Sequence, residues 1–270
     1  MMQQRYEAVQ YTIDEIQALG QDLSEEPIRE KIRSILEKLA VQTELFPVES
    51  FNVRPGKAGG IYELYVAPDR SLSLYASSGA SGKYQPPHDH TTWAVIAGIR
   101  GVERNQFFEC LERDDENNRG ALKFVRAAAV GPGDSVTLSA ADFHTIAVED
   151  GADALHLHLY GDALDTLVGR IGFATETGGT FTRFMAEPMT FAPWISDAEV
   201  QQMQTDGLSV VLQPVAVPNL VEAVKRAAPD STQAVVLTGV NSQIEPQTES
   251  AIRDLHRAGF HNLAVLKPKE

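Results

Sequence analysis

Two histidines separated by one residue form the clearest chemical motif of the sequence. His88 and His90 flank Asp89, and an apolar run over 93–99 follows them. On a β-strand alternate side chains share a face, so we expect the two imidazoles to point one way and Asp89 the other. The neutral imidazole is the commonest metal ligand near neutral pH, and the pair therefore predicts a metal site. His144 is the candidate third ligand, and three ligands would leave coordination positions open for a substrate.

A second informative stretch covers residues 154–161. Its strict alternation predicts a strand with leucines on one face and His156, His158 and Tyr160 on the other. Polar side chains that point into a protein interior need hydrogen-bond partners or a functional role. An internal hydrogen-bond chain and a place in an active site are both compatible with this pattern.

Glycines frame both histidine motifs. Gly82 precedes His88 by five intervening residues, Gly101 ends the following strand, and Gly-Pro-Gly-Asp at 131–134 lies a short strand ahead of His144. This pattern resembles the two motifs of the cupin superfamily. The resemblance implies a small antiparallel double-stranded β-helix that holds one metal ion in its mouth.

Many cupins also have a glutamate ligand four or five positions after the second histidine of the first motif. Ala94 and Val95 occupy these positions here. Three histidines without a carboxylate resemble the thiol dioxygenase branch of cupins, which includes the cysteine and 3-mercaptopropionate dioxygenases. The resemblance implies Fe(II) held by His88, His90 and His144, and addition of both atoms of O2 to a small thiol to give a sulfinate. Three histidines alone also suit zinc, nickel or copper.

The same family places a Ser-x-His-x-Tyr series on a strand beside its iron. Tyr160 matches the tyrosine and His158 the histidine, whereas His156 stands in place of the serine. The resemblance implies that the Tyr160 hydroxyl reaches toward the metal and that His158 holds this hydroxyl. His156 can donate to or accept from His158, which would preserve the relay.

Two further positions differ from the family pattern. Some members have a cysteine crosslinked to the tyrosine, but Val95 occupies that position, so we expect no crosslink and assign Cys110 as a buried strand residue. The group that would hold a substrate carboxylate, an Arg or Gln about 26 residues before the first histidine, is replaced by Tyr62. A tyrosine hydroxyl donates a single hydrogen bond, and Arg170 is the candidate source of the missing charge.

Bulk properties restrict partners and compartment. The 23 basic and 37 acidic residues give 23 − 37 = −14, which argues against nucleic acid or an anionic membrane surface as a partner. A single cysteine excludes an intrachain disulfide and favours a reducing compartment. The N-terminal 20 residues contain no apolar leader, and no apolar run is long enough to span a bilayer. We expect a cytoplasmic protein whose partners are a small thiol and O2, and a homodimer remains open.

The periodicity predicts a mainly β fold with an appended α/β unit. Two amphipathic helices between 5 and 40, broken at Gly20, precede a series of short strands, and we expect a cupin barrel with N-terminal helices over 1–184. A predicted linker over 185–193 leads to alternating strands and helices over 194–270, which are typical of a small parallel sheet.

The end of this second unit resembles the C-terminal half of a rhodanese domain. The loop at 238–242, where that family has its nucleophilic cysteine, contains none. Because sulfur transfer needs a thiolate nucleophile, we predict an inactive rhodanese-like module that serves packing, dimerisation or partner docking.

Three functions are compatible with these observations. The first is an iron-dependent thiol dioxygenase. The second is a metal-dependent cupin oxygenase of a small molecule without a thiol. The third is a non-catalytic metallocupin that acts as a sensor or binding module. Steady O2 uptake with a thiol would distinguish the first from the other two.

Overall fold

A computed structural model describes residues 1–20, 22–53, 56–185, 190–239 and 246–268. Its helices are α1 (Met2–Gln17), α2 (Glu26–Ala40), α3 (Asp197–Thr205), α4 (Leu220–Ala227) and α5 (Pro246–Arg257). Its strands are β1 (Gly59–Val66), β2 (Ser73–Gly79), β3 (Tyr84–His88), β4 (Ala94–Arg100), β5 (Glu103–Asp114), β6 (Arg119–Val130), β7 (Ser135–Leu138), β8 (Phe143–Val148), β9 (Ala154–Tyr160), β10 (Arg170–Thr175), β11 (Gly178–Phe184), β12 (Thr190–Phe191), β13 (Trp194–Ile195), β14 (Val210–Pro214), β15 (Ala234–Thr238) and β16 (Leu263–Leu266).

The strands of residues 59–191 form two sheets. The first has the order β12-β1-β2-β9-β4-β7, and the second has the order β10-β11-β6-β5-β8-β3 and closes on itself where β10 pairs with β3. From β2 to β9 consecutive strands alternate between the two sheets, apart from the hairpin of β5 and β6. This alternation is that of a double-sheet jelly roll, the architecture that cupins use. The mainly β class is thereby confirmed.

The N-terminal helices cover the outer face of the first sheet, as predicted. Pro27 lies in the first turn of α2, and Gly20 adopts the left-handed conformation that separates the helices. Ile32 and Leu36 of α2 join the same buried cluster as the leucines of β9. Each fully buried aliphatic side chain of this kind contributes about 1.5–3 kcal/mol through removal of apolar surface from water. The cluster fixes β9 with its other face turned inward. The outward leucines are Leu155, Leu157 and Leu159.

Strands β1 to β9 form the predicted series of short strands. The strands β10 and β11 follow the last stretch that the sequence analysis singles out as a strand, at 154–161, and they form part of the second sheet. The predicted linker is partly wrong, because Thr190 and Phe191 form β12 and pair in parallel with Ile61 and Tyr62 of β1. Residues 186–189 of that linker lie outside the described residues. A strand of two residues carries too little periodicity to be read from sequence.

The C-terminal unit is a four-stranded parallel sheet with the order β13-β16-β15-β14, which confirms the predicted parallel α/β arrangement. Ser196 and Glu199 form a reciprocal capping box at the start of α3. Of the loop at 238–242, only Thr238 and Gly239 are among the described residues. The boundary between the two units remains a prediction, and Met2 of α1 packs into the core of the C-terminal unit.

Within the described parts of the chain, no helix has the length and apolar character needed to cross a bilayer.

Candidate metal centre

Strands β3 and β8 bring His88 and His144 together. The two residues are direct partners across the strand pair, and His90 follows two residues after the end of β3. Their ring centroids are 4.6 Å apart for His88 and His144, 5.0 Å for His90 and His144, and 5.1 Å for His88 and His90. All three side chains are buried, and each offers a ligand atom within 4.8 Å of the other two. This His triad can hold a metal ion.

Hydrogen bonds orient two of the three imidazoles. Nδ1 of His88 lies 2.9 Å from the carbonyl oxygen of Pro86, and Nδ1 of His144 lies 2.8 Å from Oδ1 of Asn105. Both partners are acceptors, so each Nδ1 carries the proton and each Nε2 keeps its lone pair. Metal-ligating histidines are typically fixed in this way through their second nitrogen.

The free nitrogens face one another. Nε2 of His90 lies 2.8 Å from Nε2 of His144, and Nδ1 of His90 is buried with no hydrogen-bond partner among the residues that the structure describes. Because the His144 nitrogen is a lone-pair acceptor, either a proton on His90 or a cation must lie between the two atoms. The donor set of three imidazoles therefore fits a divalent transition metal.

Burial keeps these imidazoles neutral. It lowers the pKa of His88 to about 4 and the pKa values of His90 and His144 well below the ordinary value of 6.5. Repulsion from the neighbouring imidazoles lowers the pKa values of His90 and His144 further. Neutral imidazoles with exposed lone pairs are the form that binds metals.

Residues behind the triad support His144 and anchor β3. Phe107 stacks on the His144 ring with centroids 6.0 Å apart, and the Arg126 guanidinium lies 3.6 Å from the Phe107 centroid. Asp89 points away from the triad, as predicted, and accepts a 2.7 Å hydrogen bond from the backbone N–H of Ile171. This contact fixes the end of β3 to β10.

Tyr160 and His158 lie next to the triad. The Tyr160 ring centroid is 5.0 Å from that of His90, and its hydroxyl is 2.9 Å from Nδ1 of His158. Burial raises the pKa of Tyr160 above its ordinary value, so the hydroxyl stays protonated at neutral pH. The structure thus brings together four residues that the sequence analysis singled out: His88, His90, His158 and Tyr160.

His156 does not continue this series, contrary to the expected hydrogen bond to His158. Its Nε2 is 2.9 Å from the carbonyl oxygen of Val130, and its Nδ1 is 3.9 Å from Oε2 of Glu103. Gly98, the partner of His156 on β4, has no side chain, which lets the 130–131 backbone approach closely enough to bind His156. The His156 imidazole therefore has a structural role, because its contact with Val130 joins β9 to the end of β6.

A cavity of about 350 Å³ opens onto His88, His90, His158 and Tyr160. Three cationic side chains line it together with the histidines, although the chain as a whole has a net charge of −14. They are Lys57, Lys83 and Arg170. Such a lining favours a small anionic ligand.

Of these cations, only Arg170 was indicated by the sequence. Alternation along the strand would place Lys83 and Gln85 on the face opposite to His88. The pairing register shifts between Gln85 and His88, and this irregularity brings all three residues to the same cavity. Burial lowers the pKa of Lys83 below its ordinary value of 10.5.

Tyr62 does not take part in this cavity, so the sequence alignment with the carboxylate-binding position is wrong. Tyr62 is fully buried on the helix side of the first sheet, and its hydroxyl donates to the carbonyl oxygen of Asn52. Its ring packs against Phe51, with centroids 5.1 Å apart. Ile61, the preceding residue on β1, faces the cavity instead.

Cys110 is half-buried on β5 rather than fully buried as expected.

Comparison with known proteins finds similarity only at the level of solved structures. No protein-family model and no curated protein matches the sequence. An oxalate oxidase in complex with glycolate matches 44% of this chain and 59% of its own, at 18% identity and a TM-score of 0.34. The lyase DddQ, a DMSP lyase from Ruegeria pomeroyi DSS-3, matches 38% of this chain and 46% of its own, at 19% identity and a TM-score of 0.28. A cupin superfamily protein from Desulfitobacterium hafniense matches 44% of this chain and 86% of its own, at 15% identity and a TM-score of 0.30. This chain thus spans less than two thirds of the length of the oxidase and the lyase.

Proposed function

We propose that this protein is a mononuclear non-haem iron dioxygenase that oxidises a small thiol to a sulfinate with O2. His88, His90 and His144 would hold the Fe(II). The observation that carries the proposal is that the Tyr160 hydroxyl, bound to His158, shares one cavity with His88 and His90. A protonated hydroxyl beside a cluster of metal-binding groups supports chemistry on a bound ligand rather than storage of the ion.

The proposed reaction balances without a further reductant. Two sulfur–oxygen bonds form and the O–O bond breaks, so the sulfur is oxidised while O2 is reduced, and the thiol proton is released to solvent or kept by the sulfinic acid. When bound, Fe(II) supplies a Lewis-acidic and redox-active centre beside which the thiolate and O2 meet. Neutral imidazole ligands leave its positive charge available to the thiolate.

Tyr160 and His158 would orient and stabilise the reacting atoms. Since burial raises the pKa of Tyr160, its hydroxyl acts as a hydrogen-bond donor toward charge that develops on sulfur or oxygen. Nδ1 of His158 is 2.9 Å from this hydroxyl and fixes its direction. Nε2 of His158 has no hydrogen-bond partner among the described residues and can accept a hydrogen bond from a ligand in the cavity.

The cationic lining supports a substrate that carries a carboxylate as well as a thiol. Arg170 and Lys83 line the same cavity as His88 and His90, and Arg170 is near enough to influence the pKa values of His88 and Tyr160. A guanidinium can bind a carboxylate through two hydrogen bonds and an ammonium as a point charge. These two residues would bind the substrate carboxylate in place of Tyr62.

A second candidate is a metal-dependent oxygenase of a small organic acid without a thiol. The same cations favour it, because they select for an acid and not for sulfur. Comparison of thiol substrates with their hydroxyl analogues separates the two candidates.

We also propose that the C-terminal unit has no sulfur-transfer activity. The single cysteine of the chain is Cys110, which lies on β5 of the jelly roll, so residues 194–270 contain no thiol. Without a thiolate no persulfide can form in this unit.

The test is O2 consumption by protein purified anaerobically and reconstituted with Fe(II). Cysteine, 3-mercaptopropionate, cysteamine and mercaptosuccinate would be compared, with sulfinate measured by mass spectrometry. We expect O2 uptake equal to the sulfinate formed, faster turnover of the carboxylate thiols than of cysteamine, and loss of uptake in His144→Ala. Absence of uptake with every thiol at full iron occupancy would overturn the proposal. Uptake with hydroxy acids alone would favour the second candidate.

A further inference from the structure

A second group of histidines lies where the C-terminal unit meets β1. Glu63 on β1, His256 in the last turn of α5 and His261 in the loop before β16 form this junction cluster. Nδ1 of His256 is 3.6 Å and Nδ1 of His261 is 3.4 Å from Oε1 of Glu63. The two rings are nearly parallel, with centroids 6.1 Å apart. None of these residues lines the cavity of the His triad.

Apart from these two contacts, the facing polar atoms of the junction cluster are unsatisfied. Oε1 of Glu63, both ring nitrogens of His256 and Nδ1 of His261 are shielded from solvent and make no hydrogen bond within the described part of the chain. Glu63 and His256 are 7% and 2% exposed. Buried polar atoms are nearly always satisfied in folded proteins, so several unsatisfied atoms around one point indicate a bound group.

A small cavity adjoins the cluster. It measures about 10 Å³, which is roughly the room that one water-sized particle needs, and Glu63, His261 and Asn262 line it. Oδ1 of Asn262 is also buried and has no partner in the described ranges, whereas its Nδ2 donates to Gln3 and to the carbonyl oxygen of Thr232. Oδ1 of Asn262 is therefore a further possible ligand atom beside the carboxylate of Glu63 and the two imidazoles.

The junction cluster combines a carboxylate with a neutral imidazole. Burial lowers the pKa of His256 to about 4, so its imidazole is neutral at neutral pH. Burial alone would raise the pKa of Glu63, but positive charge nearby, including that of Arg70, brings it below its ordinary value, and the group is a carboxylate. Arg5 also lines the small cavity, and its guanidinium donates to the carbonyl oxygen of Leu45.

We propose that the junction cluster is a second metal site, which binds one divalent cation of the zinc class through Glu63, His256 and His261. Ligand atoms around a tetrahedral zinc ion lie about 3.3 Å from one another, given zinc–ligand distances near 2.0–2.1 Å. The separations of 3.4 Å and 3.6 Å from Oε1 of Glu63 are close to this value. The two imidazoles flank the carboxylate, and their facing nitrogens are more than 4.8 Å apart, so metal binding requires one ring to turn toward the other. Asn262 or a water completes the coordination.

The site would join the two units of the chain. Glu63 belongs to the first sheet of the jelly roll, whereas both histidines belong to the C-terminal unit. A metal that binds only the folded arrangement stabilises it by the free energy of binding. The inference does not depend on the chemistry proposed for the His triad.

The experiment measures zinc content and cobalt binding in full-length protein. Zn²⁺ per chain would be determined by mass spectrometry after dialysis, and Co²⁺ titrations would be followed by absorbance, in wild type, Glu63→Gln, His261→Asn and the double variant His88→Ala/His144→Ala. We expect about two equivalents in wild type and about one in each of the other proteins. The double variant keeps the junction cluster, and the single variants keep the His triad.

Thermal unfolding separates a lost site from a lost fold. We expect chelation to lower the Tm of the double variant, in which only the junction cluster remains, and to have no such effect when His261→Asn is added. His261 has partial solvent exposure, so this substitution tests the site without opening the core. Wild type that binds one equivalent, together with His261→Asn and Glu63→Gln that retain it, would overturn the proposal.

Discussion

Nε2 of His90 and Nε2 of His144 lie 2.8 Å apart in the interior of the jelly roll, although the second nitrogen of His144 already donates to Asn105. Without a metal, a proton on His90 must occupy the space between them, and Nδ1 of His90 remains unsatisfied. A metal ion would be held by both lone pairs in place of that proton, and His90 would then carry its proton on Nδ1. Both Nε2 atoms are therefore placed to act as metal ligands.

Asn105 is expected to control metal affinity through His144. Its Oδ1 accepts the His144 proton at 2.8 Å, and Glu103 holds its amide at 3.2 Å. Replacing Asn105 by Leu removes the acceptor and should weaken metal binding by about 10- to 100-fold, the usual effect of losing such a partner. Asn117→Leu, which removes an amide that binds Asp114 at an exposed turn, serves as the control. Competition with a chromophoric chelator measures the affinity, and equal affinities in the two variants would contradict this role.

Tyr160→Phe should reduce turnover while leaving the metal bound. The substitution removes only the hydroxyl that His158 orients, so the ring contact with His90 is kept. A positioned donor or acid typically contributes about 10²- to 10⁴-fold, and we expect kcat to fall within that range. Tyr84→Phe is the control, because the Tyr84 hydroxyl binds the exposed Glu176. Unchanged kcat in Tyr160→Phe would remove Tyr160 from the mechanism.

The sequence predicted the His triad and the inward face of β9 because both follow from local patterns. Residues 154–160 form a regular strand, so alternation correctly places Leu157 and His158 on opposite faces. The cationic lining was largely missed because it depends on a register shift between Gln85 and His88, which no local pattern records.

Errors elsewhere have the same physical origin. Tyr62 was one residue away from the cavity-facing position, and a shift by one residue on a strand moves a side chain to the opposite face. The partner of His156 could not be predicted either, because Val130 comes from a strand of the other sheet. Contacts between sheets depend on tertiary packing, which hydrophobic periodicity does not encode.

Binding of a carboxylate should weaken at alkaline pH because of Lys83. Burial lowers the pKa of Lys83 from 10.5, so its charge is present at neutral pH and is lost as the pH rises through the lowered value. Titration with 3-hydroxypropionate, which has no thiol to ionise, should show constant affinity near pH 7 and weaker affinity toward pH 10. Lys83→Met should bind about tenfold more weakly at pH 7 and lose this dependence. Lys57→Met is the comparison, since it keeps Lys83, and a dependence retained in Lys83→Met would contradict the assignment.

Gly98→Ala should destabilise the jelly roll at the contact between its two histidine motifs. A Cβ at Gly98 would lie 2.1 Å from the carbonyl oxygen of Gly131 and 3.4 Å from Nε2 of His156. The Gly98 backbone also donates to the carbonyl oxygen of Asp134 and accepts from the N–H of Gly133, so β4 cannot move away without breaking both bonds. Overpacking of this kind typically costs about 1–3 kcal/mol, equivalent to a fall in Tm of roughly 2–12 °C for a domain of this size.

Gly131→Ala is the matched control for this prediction. Its Cβ would meet only the Asp134 carboxylate at 3.3 Å and Val102 at 3.8 Å, and the carboxylate is a side-chain end that can give way. Differential scanning calorimetry should show a clear fall in Tm for Gly98→Ala and a smaller one for Gly131→Ala. Equal shifts would mean that the close approach of β4 to the 131–134 turn is not a stability constraint. Because His156 binds the adjacent Val130 carbonyl, a displaced turn should also disturb β9 and reduce metal occupancy in Gly98→Ala.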